Sequence, residues 1–356
     1  GKKESLYWIA LSMVPGIGPV LFKRLLSRFE NPERVFKATI PSLREVEGIG
    51  DRLATEIRSF GRWEEAEDEL AKADRYGAAI VTTADRIYPK NLLNIYDPPP
   101  YLYVKGQINS DERSIAVVGS RFASAYGKIT TEGLSRDLAK NGLTVVSGMA
   151  RGIDTAAHKG AMAAGGRTVA VLGSGIDVVY PPENRGLYEE ICRHGAVVSE
   201  LPMGTQPLSE NFPARNRIIS GISMGVVIVE ASLKSGSLIT ASCAAEQGRD
   251  VFAVPGNINS NGSKGTNRLI KEGAKLVEGA GDILDEFSAV PASPGMTVDL
   301  SRDEKTVMEV LAEPVHIDEV ASLSGMDVRS VSAILLNLEL SGAIRQLPGM
   351  VFVKNI

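Results

Sequence analysis

Between residues 66 and 290, short runs rich in β-branched residues alternate with stretches of helical patterning, and this alternation constrains the fold more than any other feature. Short apolar runs that alternate with helices are typical of βαβ units and of a mostly parallel sheet. The pattern therefore predicts an α/β core over residues 66–288. The predicted strands are 79–82, 115–118, 144–147, 168–172, 196–199, 226–230 and 251–254.

Residues 1–65 have the apolar spacing of short helices and contain an internal repeat, PGIG at 15–18 and GIG at 48–50. A Gly-x-Gly turn that enters an amphipathic helix is the helix-hairpin-helix pattern, and its glycines expose backbone N–H groups that suit a phosphate oxygen. The alternative is a helical module that only packs on a neighbour. Glu47 and Asp51, which flank the second copy, also fit that alternative.

Residues 289–298 are rich in Pro, Ala and Ser, which predicts a linker. Residues 299–356 have the pattern of a winged helix. The predicted elements are helices near 303–312, 316–323 and 327–341 and a hairpin at 343–354. A helix that contacts DNA bases is expected to be basic, but the candidate recognition helix has one arginine, Arg329, and the domain is acidic overall. We therefore expect a protein-interaction or regulatory module.

Composition excludes several classes of protein. No apolar run approaches the ~20 residues that span a membrane, and no signal peptide is visible. Cys192 and Cys243 lie far apart without a CxxC motif, which fits a reducing cytoplasm and offers no zinc site. The net charge of −4 means that nucleic-acid binding would need a local basic patch. We expect a cytoplasmic protein with no metal, no cofactor and no membrane partner.

The loops that follow the predicted strands carry small residues, hydroxyls and, in several cases, an arginine. Ligands of parallel sheets bind at the carboxyl ends of the strands. Helix N-termini and arginines that converge there predict an anion site, with phosphate as the anion. The alternatives are ordinary turns and structural ion pairs. The arginines are Arg121, Arg151, Arg215 and Arg217, and the ion-pair alternative applies most to Arg217.

Missing motifs narrow the chemistry. The chain has no G-x-x-x-x-G-K-[ST] sequence, no G-x-G-x-x-G after strand 115–118 and no G-x-S-x-G elbow, so a P-loop, a dinucleotide cofactor and a hydrolase serine are not indicated. Asp154 and His158 lie on one helical face. We interpret this pair as structural because no nucleophile accompanies it.

The motifs in this order resemble those of the DNA-processing protein A family (DprA, also called Smf). The matching stretches are YPKNL at 88–92, DPPPYLY at 97–103, GSR at 119–121, SGMARGIDTAAHKGA at 147–161, FPARNRIISG at 212–221, SGSLITA at 235–241 and GTNRLIKEGA at 265–274. The resemblance implies an N-terminal sterile-alpha-motif-like or helix-hairpin-helix domain, an extended Rossmann-like core and a C-terminal winged helix.

The resemblance also implies a function. The family binds single-stranded DNA without strong sequence preference, protects incoming DNA and loads the RecA recombinase during natural transformation. It is a recombination mediator and not an enzyme. It forms homodimers through the core, here expected near residues 226–254.

Carried over by motif, Arg121 resembles the phosphate-binding arginine of the family, and Gly119 and Ser120 would supply a close backbone approach. Phe122, Tyr126 and Phe212 are candidates for base stacking, although Phe212 fits a core position equally well. Pro182 stands where some relatives have lysine, so one contact is expected to be absent or taken over by Arg185. The predicted phosphate-binding residues are Gly119, Ser120, Arg121, Gly148, Arg151, Arg215, Asn216, Arg217, Ser235, Gly236, Ser237, Thr240 and Lys264.

Two other functions are alternatives for a chain with these motifs. Nucleoside-monophosphate phosphoribohydrolases share this Rossmann variant and carry P-G-G-x-G-T-x-x-E, whose glutamate acts in glycosidic cleavage. Here the position three past Thr240 is Cys243, and Glu246 is one helical turn further on, which argues against hydrolysis. A nucleotide-sensing regulator that binds duplex DNA through its winged helix is disfavoured by the acidity of that domain.

Overall fold

The structure, a computed structural model, describes residues 2–287, 301–311, 315–340, 344–347 and 349–354. The chain divides into two compact units, Gly1–Phe287 and Ser288–Ile356. The predicted linker at 289–298 lies outside the described residues. The boundary predicted at residue 65 stays a prediction, because the helical segment and the α/β core belong to the same unit.

The first unit begins with six helices, as predicted for its N-terminal segment. They are α1 (Lys2–Ser12), α2 (Pro19–Phe29), α3 (Pro32–Lys37), α4 (Ile40–Arg44), α5 (Asp51–Arg58) and α6 (Trp63–Tyr76). Their shared core contains fully buried side chains from three of them, Leu11, Leu25 and Ile57.

The internal repeat is confirmed as two matching hairpins that pack on each other. Gly16 and Gly48 both have φ +91°, a conformation that favours glycine. A Cβ on Gly16 would lie 2.9 Å from Leu53 Cδ2, and a Cβ on Gly48 would lie 2.7 Å from Leu21 Cδ2. Each hairpin therefore contacts the helix that follows the other, and both glycines are required by conformation and by space.

The α/β core contains one nine-stranded sheet. Its strands are β1 (Ala79–Thr82), β2 (Tyr101–Gly106), β3 (Ser114–Val118), β4 (Thr144–Ser147), β5 (Thr168–Val171), β6 (Ala196–Ser199), β7 (Gly225–Ile228), β8 (Asp250–Ala253) and β9 (Lys275–Leu276). The order is β1-β2-β6-β5-β4-β3-β7-β8-β9. β2 runs in the opposite direction to the other eight strands, so the predicted mostly parallel, Rossmann-like sheet is confirmed.

Each predicted strand forms, with bounds shifted by at most two residues. β2 and β9 were not predicted from the sequence. β2 follows directly after a run of three prolines, which is typical of a loop, and β9 spans only two residues at the edge of the sheet.

Helices cover both faces of this sheet. They are α7 (Lys90–Leu93), α8 (Ala125–Lys140), α9 (Ile153–Ala163), α10 (Arg185–His194), α11 (Asn211–Ile222), α12 (Ser237–Glu246), α13 (Lys264–Lys271) and α14 (Ala280–Phe287). Successive β3 residues face opposite sides, since Val117 clusters with Leu138 of α8, whereas Val118 clusters with Ile218 of α11. This two-sided burial explains why the central strands are apolar throughout.

The strand order reverses between β3 and β7. From β3 the chain passes outward through β4, β5 and β6, and then returns to place β7 on the other side of β3. Ligands of open α/β sheets bind at such a switch point, outside the carboxyl ends of the strands. The loops after β3, β4, β5 and β7, with the starts of α11 and α13, are called the strand-end surface below.

The second unit is the predicted winged helix. It contains α15 (Arg302–Val310), β10 (Val315–His316), α16 (Ile317–Ser324), α17 (Val328–Leu340), β11 (Ile344–Leu347) and β12 (Val351–Lys354), with the strands in the antiparallel order β10-β12-β11. Val328 and Leu336 of α17 are exposed. Within the described part of the chain, no helix is both long and apolar enough to cross a bilayer.

Replacement of Gly48 by alanine tests the paired hairpins. Gly48→Ala should destabilise the protein by ~1–3 kcal/mol, because the new methyl group meets Leu21 in a strained backbone conformation. The measurement is thermal unfolding. Gly61→Ala is the matched control, since Gly61 is exposed and the new Cβ would lie 3.9 Å from the Ser59 carbonyl oxygen, an ordinary van der Waals contact. Equal melting temperatures for the two variants would contradict the packing described.

Candidate nucleic-acid interface

Arg121 lies in the loop between β3 and α8, where its side chain is exposed. Its guanidinium carbon is 4.8 Å from the ring centroid of Phe212, at the start of α11. Such a contact holds the cation over the aromatic face without neutralising its charge. Within the described part of the chain, no carboxylate lies within ion-pair distance of Arg121. The strand-end surface therefore presents an accessible, oriented cation.

Phe212 connects several parts of this surface. Its ring lies 5.8 Å from that of Tyr180 and 5.7 Å from the guanidinium carbon of Arg215. A Cβ on Gly173 would lie 2.8 Å from the Phe212 ring, so the loop after β5 needs glycine at that position. Phe212 is half-buried and already has several contacts. Phe122, by contrast, is 91% exposed and open to a base.

Arg215 is only 4% exposed. Its Nη1 donates hydrogen bonds to the carbonyl oxygen of Gly148, at 2.9 Å, and to that of Val171. Burial lowers the pKa of Arg215 to about 10, with a smaller contribution from Arg121, so it stays a cation at neutral pH. The predicted direct phosphate contact does not fit this position. Arg215 instead joins the ends of β4 and β5 from below the surface.

Asp154 and His158 are buried and form hydrogen bonds within the protein, which fits their interpretation as a structural pair. Asp154 Oδ2 accepts hydrogen bonds from the backbone N–H groups of Gly148 and Ala150, at 3.2 and 3.3 Å. His158 Nδ1 is 2.6 Å from Thr168 Oγ1. That hydroxyl donates to a backbone carbonyl, so Nδ1 is the donor and carries the proton. Burial lowers the pKa of His158 to about 3.

Arg217 differs from the expectation of a phosphate contact. Its Nε is 3.1 Å from Asp97 Oδ2, and its Nη2 pairs with Glu200. The Arg217 side chain is 15% exposed. Two carboxylates from distant parts of the chain therefore neutralise this guanidinium, which is the structural ion pair that the sequence left open.

Arg151 is exposed and pairs with Glu183, which is also exposed. Surface pairs of this kind contribute little free energy, so a phosphate can replace the carboxylate. Asn184 Nδ2 donates to the Met149 carbonyl oxygen at 2.9 Å and holds the 182–184 turn against the loop after β4. Pro182 is exposed in this turn, so the position where some relatives have lysine adds no charge here.

Gly119 and Ser120 fix the loop that carries Arg121. A Cβ on Gly119 would lie 2.7 Å from Ile153 Cγ1. The backbone N–H of Ser120 donates to the carbonyl oxygen of Glu230 at 2.7 Å, and its hydroxyl accepts a hydrogen bond from the N–H of Phe122 at 3.1 Å. The expected phosphate contact through the Ser120 N–H therefore does not fit, because that donor is already used.

The loop after β7 is linked to α11. Asn216 Nδ2 donates to the Gly236 carbonyl oxygen at 3.3 Å, and the hydroxyls of Ser235 and Ser237 lie 2.8 Å apart. Ser237 and Thr240 are buried in the first turns of α12, so of the predicted residues in this loop Ser235 and Gly236 are the more accessible.

Two lysines complete the strand-end surface. Lys264 is exposed at the start of α13, and the N–H of Gly265 donates to the Ala231 carbonyl oxygen at 2.8 Å, which places that lysine beside the loop after β7. Lys234 lies in the same loop and is exposed, but it is not among the residues predicted from the sequence. The signal was present, since Lys234 directly precedes the SGSLITA motif.

No group of three or more His, Cys, Asp and Glu side chains within the described ranges could hold a metal ion. Cys192 and Cys243 are both free.

The buried His158 predicts an acid-dependent loss of stability. The pKa of His158 is about 3 in the folded protein and 6.5 in the unfolded chain. Between pH 3 and pH 6.5 the unfolded chain therefore binds one more proton than the folded protein does. This contribution to the free energy of unfolding is fully present above pH 6.5 and decreases by about 2 kcal/mol at pH 5. Denaturant unfolding between pH 7 and 5 should show this dependence, and His158→Asn, which does not titrate, should lack it. Equal pH slopes for the two proteins would contradict the assignment.

Comparison with known proteins follows the same division of the chain. Residues 79–288 match the family model described as DNA recombination-mediator protein A, residues 291–350 match the DprA winged helix domain, and residues 9–60 match a SAM-like helix-hairpin-helix tandem. Protein Smf of Synechocystis is 36% identical over 98% of this chain and 98% of its own length. Protein Smf of Escherichia coli is 40% identical over 85% of this chain and 84% of its own length.

Two solved structures are similar over the core. DNA processing protein A from Streptococcus pneumoniae aligns with a TM-score of 0.68 and 39% identity, over 79% of this chain and 96% of that protein. The Helicobacter pylori protein, whose structure is described as showing a single-stranded DNA binding mode, aligns with a TM-score of 0.53 and 31% identity, over 59% and 96%. Because a family model matches more than half of the sequence and a relative aligns along nearly all of it, the chain belongs to the DNA recombination-mediator protein A family.

Proposed function

We propose that this protein binds single-stranded DNA through the strand-end surface and acts as a recombination mediator. The observation that carries the proposal is Arg121, an exposed cation held over Phe212, with no recorded carboxylate partner in the described ranges, beside the switch point of the sheet. The Helicobacter pylori relative, described as binding single-stranded DNA, supports the same ligand for this chain.

We propose two roles for the residues of this surface. Three exposed residues of the predicted set, Arg121, Arg151 and Lys264, contact phosphates, together with Lys234, which is exposed but was not predicted. The remaining predicted residues hold the loops that carry these cations. They are Gly119, Ser120, Gly148, Arg215, Asn216, Arg217, Ser235, Gly236, Ser237 and Thr240.

A few phosphate contacts suit a mediator, because it must hold DNA and then release it to a recombinase. Binding to backbone phosphates is salt-dependent and nearly independent of sequence. Phe122, at 91% exposure next to Arg121, is proposed to stack on a base. Base stacking adds affinity without sequence preference, since every base has an aromatic face.

The finer role extends from the family resemblance. We propose that the protein protects incoming DNA and loads the RecA recombinase during natural transformation, in the cytoplasm. We also propose that it acts as a homodimer through the core near residues 226–254. The position of β8 and β9 at one edge of the sheet supports this interface.

The α12 region supports a mediator over a phosphoribohydrolase. Glu246 is the last residue of α12 and lies about 14 Å along the helix from Ser237, its first residue, at 1.5 Å per residue. Burial raises the pKa of the Cys243 thiol, which keeps it protonated and weakly nucleophilic. Release of free base from a nucleotide by the purified protein would contradict this part of the proposal.

Removal of Arg121 tests the phosphate contact. Arg121→Ala should weaken binding of single-stranded DNA about tenfold or more, since a hydrogen bond to a charged group contributes ~1.5–3 kcal/mol. The slope of log K against log salt concentration should fall by about 0.7 per lost phosphate contact. Arg121→Lys should also weaken binding, because an ammonium group cannot replace a bidentate guanidinium. Fluorescence anisotropy across a salt series measures both quantities.

Arg136→Ala is the matched control for Arg121. Arg136 is an exposed arginine near the other end of α8, so its removal changes the net charge equally at a distance from the strand-end surface. Equal affinities for the Arg136→Ala and Arg121→Ala variants at low salt would contradict the proposed site.

Removal of the winged helix tests the division of labour between the units. A protein of residues 1–287 should bind single-stranded DNA within about twofold of the full chain, because DNA contacts through α17 would need a basic helix. Arg329 is the only basic residue of α17, where Val328 and Leu336 are exposed. Tight, salt-sensitive binding of duplex DNA by an isolated 299–356 fragment would overturn this expectation.

A further inference from the structure

Glu230 lies at the switch point, immediately beyond β7 and beside the start of α8. In Rossmann-like proteins this is where a nucleotide phosphate binds, because the loop after the first central strand leads into a helix N-terminus. Glu230 is only 9% exposed, and the described residues include no recorded salt bridge to it. Its carboxylate is therefore an anion enclosed at the position where the fold ordinarily receives one.

The contacts of the Glu230 carboxylate are those of an anion at a helix N-terminus. Oε2 accepts hydrogen bonds from the Ser124 backbone N–H at 3.1 Å and from the Ser124 hydroxyl at 2.8 Å. The Ser124 hydroxyl in turn accepts from the N–H of Gly127 in the first turn of α8. The positive end of the helix dipole faces the same carboxylate.

Glycines on both sides make room for this carboxylate. A Cβ on Gly127 would lie 2.1 Å from Glu230 Oε2, and a Cβ on Gly262 would lie 2.5 Å from Oε1. Glycine is used in nucleotide-binding loops to admit a phosphate close to the backbone. Here Gly127 and Gly262 leave the same kind of space for the Glu230 side chain.

We infer that the Glu230 carboxylate occupies the phosphate position at the start of α8, so that this switch point excludes nucleotides and holds the Arg121 loop in place. Glu230 contacts both ends of that loop. Its carbonyl oxygen accepts from the Ser120 N–H at 2.7 Å, and its carboxylate accepts from Ser124. Arg121 lies between these two anchors and contacts Phe212 of α11.

Glu230 is thus a positioning residue for the ligand site. Its exclusion of nucleotides stands by itself, whereas its effect on DNA binding rests on the proposed function. The Glu230 carboxylate also explains where DNA is proposed to bind. Because it occupies the N-terminus of α8, DNA phosphates bind the exposed cations of the strand-end surface instead.

The test uses the full-length protein and acetate as the probe. Glu230→Ala removes the atoms of one acetate ion, so 100 mM acetate can refill the space, whereas chloride at equal ionic strength is the control. Backbone amides of residues 122–127 should exchange with deuterium about tenfold faster in Glu230→Ala, and acetate should restore slow exchange. Glu246→Ala, which removes an exposed carboxylate from α12, should leave this exchange unchanged. Glu230→Gln, which keeps an acceptor for Ser124, should exchange at an intermediate rate and serves as the test if the alanine variant does not fold.

DNA affinity is measured in the same samples. Glu230→Ala should lose several-fold affinity for single-stranded DNA and regain it in acetate but not in chloride, whereas Arg121→Ala should regain none. Wild-type exchange at 122–127 should not respond to adenosine monophosphate.

Several outcomes would overturn the inference: unchanged exchange in Glu230→Ala and Glu230→Gln, equal effects of acetate and chloride, or protection of these amides in the wild type by adenosine monophosphate. If the wild type binds no single-stranded DNA while acetate still restores exchange, the proposed function fails and the assignment of Glu230 stands.

Discussion

The buried guanidinium of Arg215 is the interaction on which the strand-end surface depends. It donates to carbonyl groups at the ends of β4 and β5 from a helix that starts beside the exposed Arg121. Carbonyl oxygens at strand ends lack ladder partners, and burial without donors would be unfavourable. One cation thus satisfies two loops and fixes α11, and with it the Phe212 ring on which Arg121 lies. The two arginines have different roles, because Arg215 is buried and holds the loops, whereas Arg121 is exposed and available for a ligand.

The strand-end surface presents exposed cations although the net charge of the chain is −4. Some of its arginines are neutralised by carboxylates and others are not. Arg217 is neutralised by two carboxylates, and Arg151 by one exposed carboxylate that a phosphate can displace. Glu230 places an anion at the helix N-terminus that would otherwise attract phosphate. The field at the strand-end surface therefore comes from a few exposed side chains, as the proposed binding of DNA phosphates requires.

Periodicity alone predicted most of the fold. The central strands are buried on both faces, so their sequences are continuous apolar runs that stand out between helices. β2 was missed because three prolines precede it, and such a run is typical of a loop. The paired hairpins were visible as a repeat, but the contacts of Gly16 with Leu53 and of Gly48 with Leu21 depend on how the two copies pack.

The sequence by itself determined that cations and small residues follow the strands, and parallel topology gathers all such loops at one edge. The tertiary structure decided which of those residues are accessible. Arg215 and Arg217 lie in the same motif, FPARNR at 212–217. Arg217 pairs with Asp97 and Glu200, whereas Arg215 is buried against carbonyl groups. Likewise, Glu230 appeared only as the end of a strand until the fold placed it against Ser124. The physical reason is that the spacing of apolar residues within a short segment determines its helices and strands. Which charges pair and which are buried depends on residues that are distant in sequence.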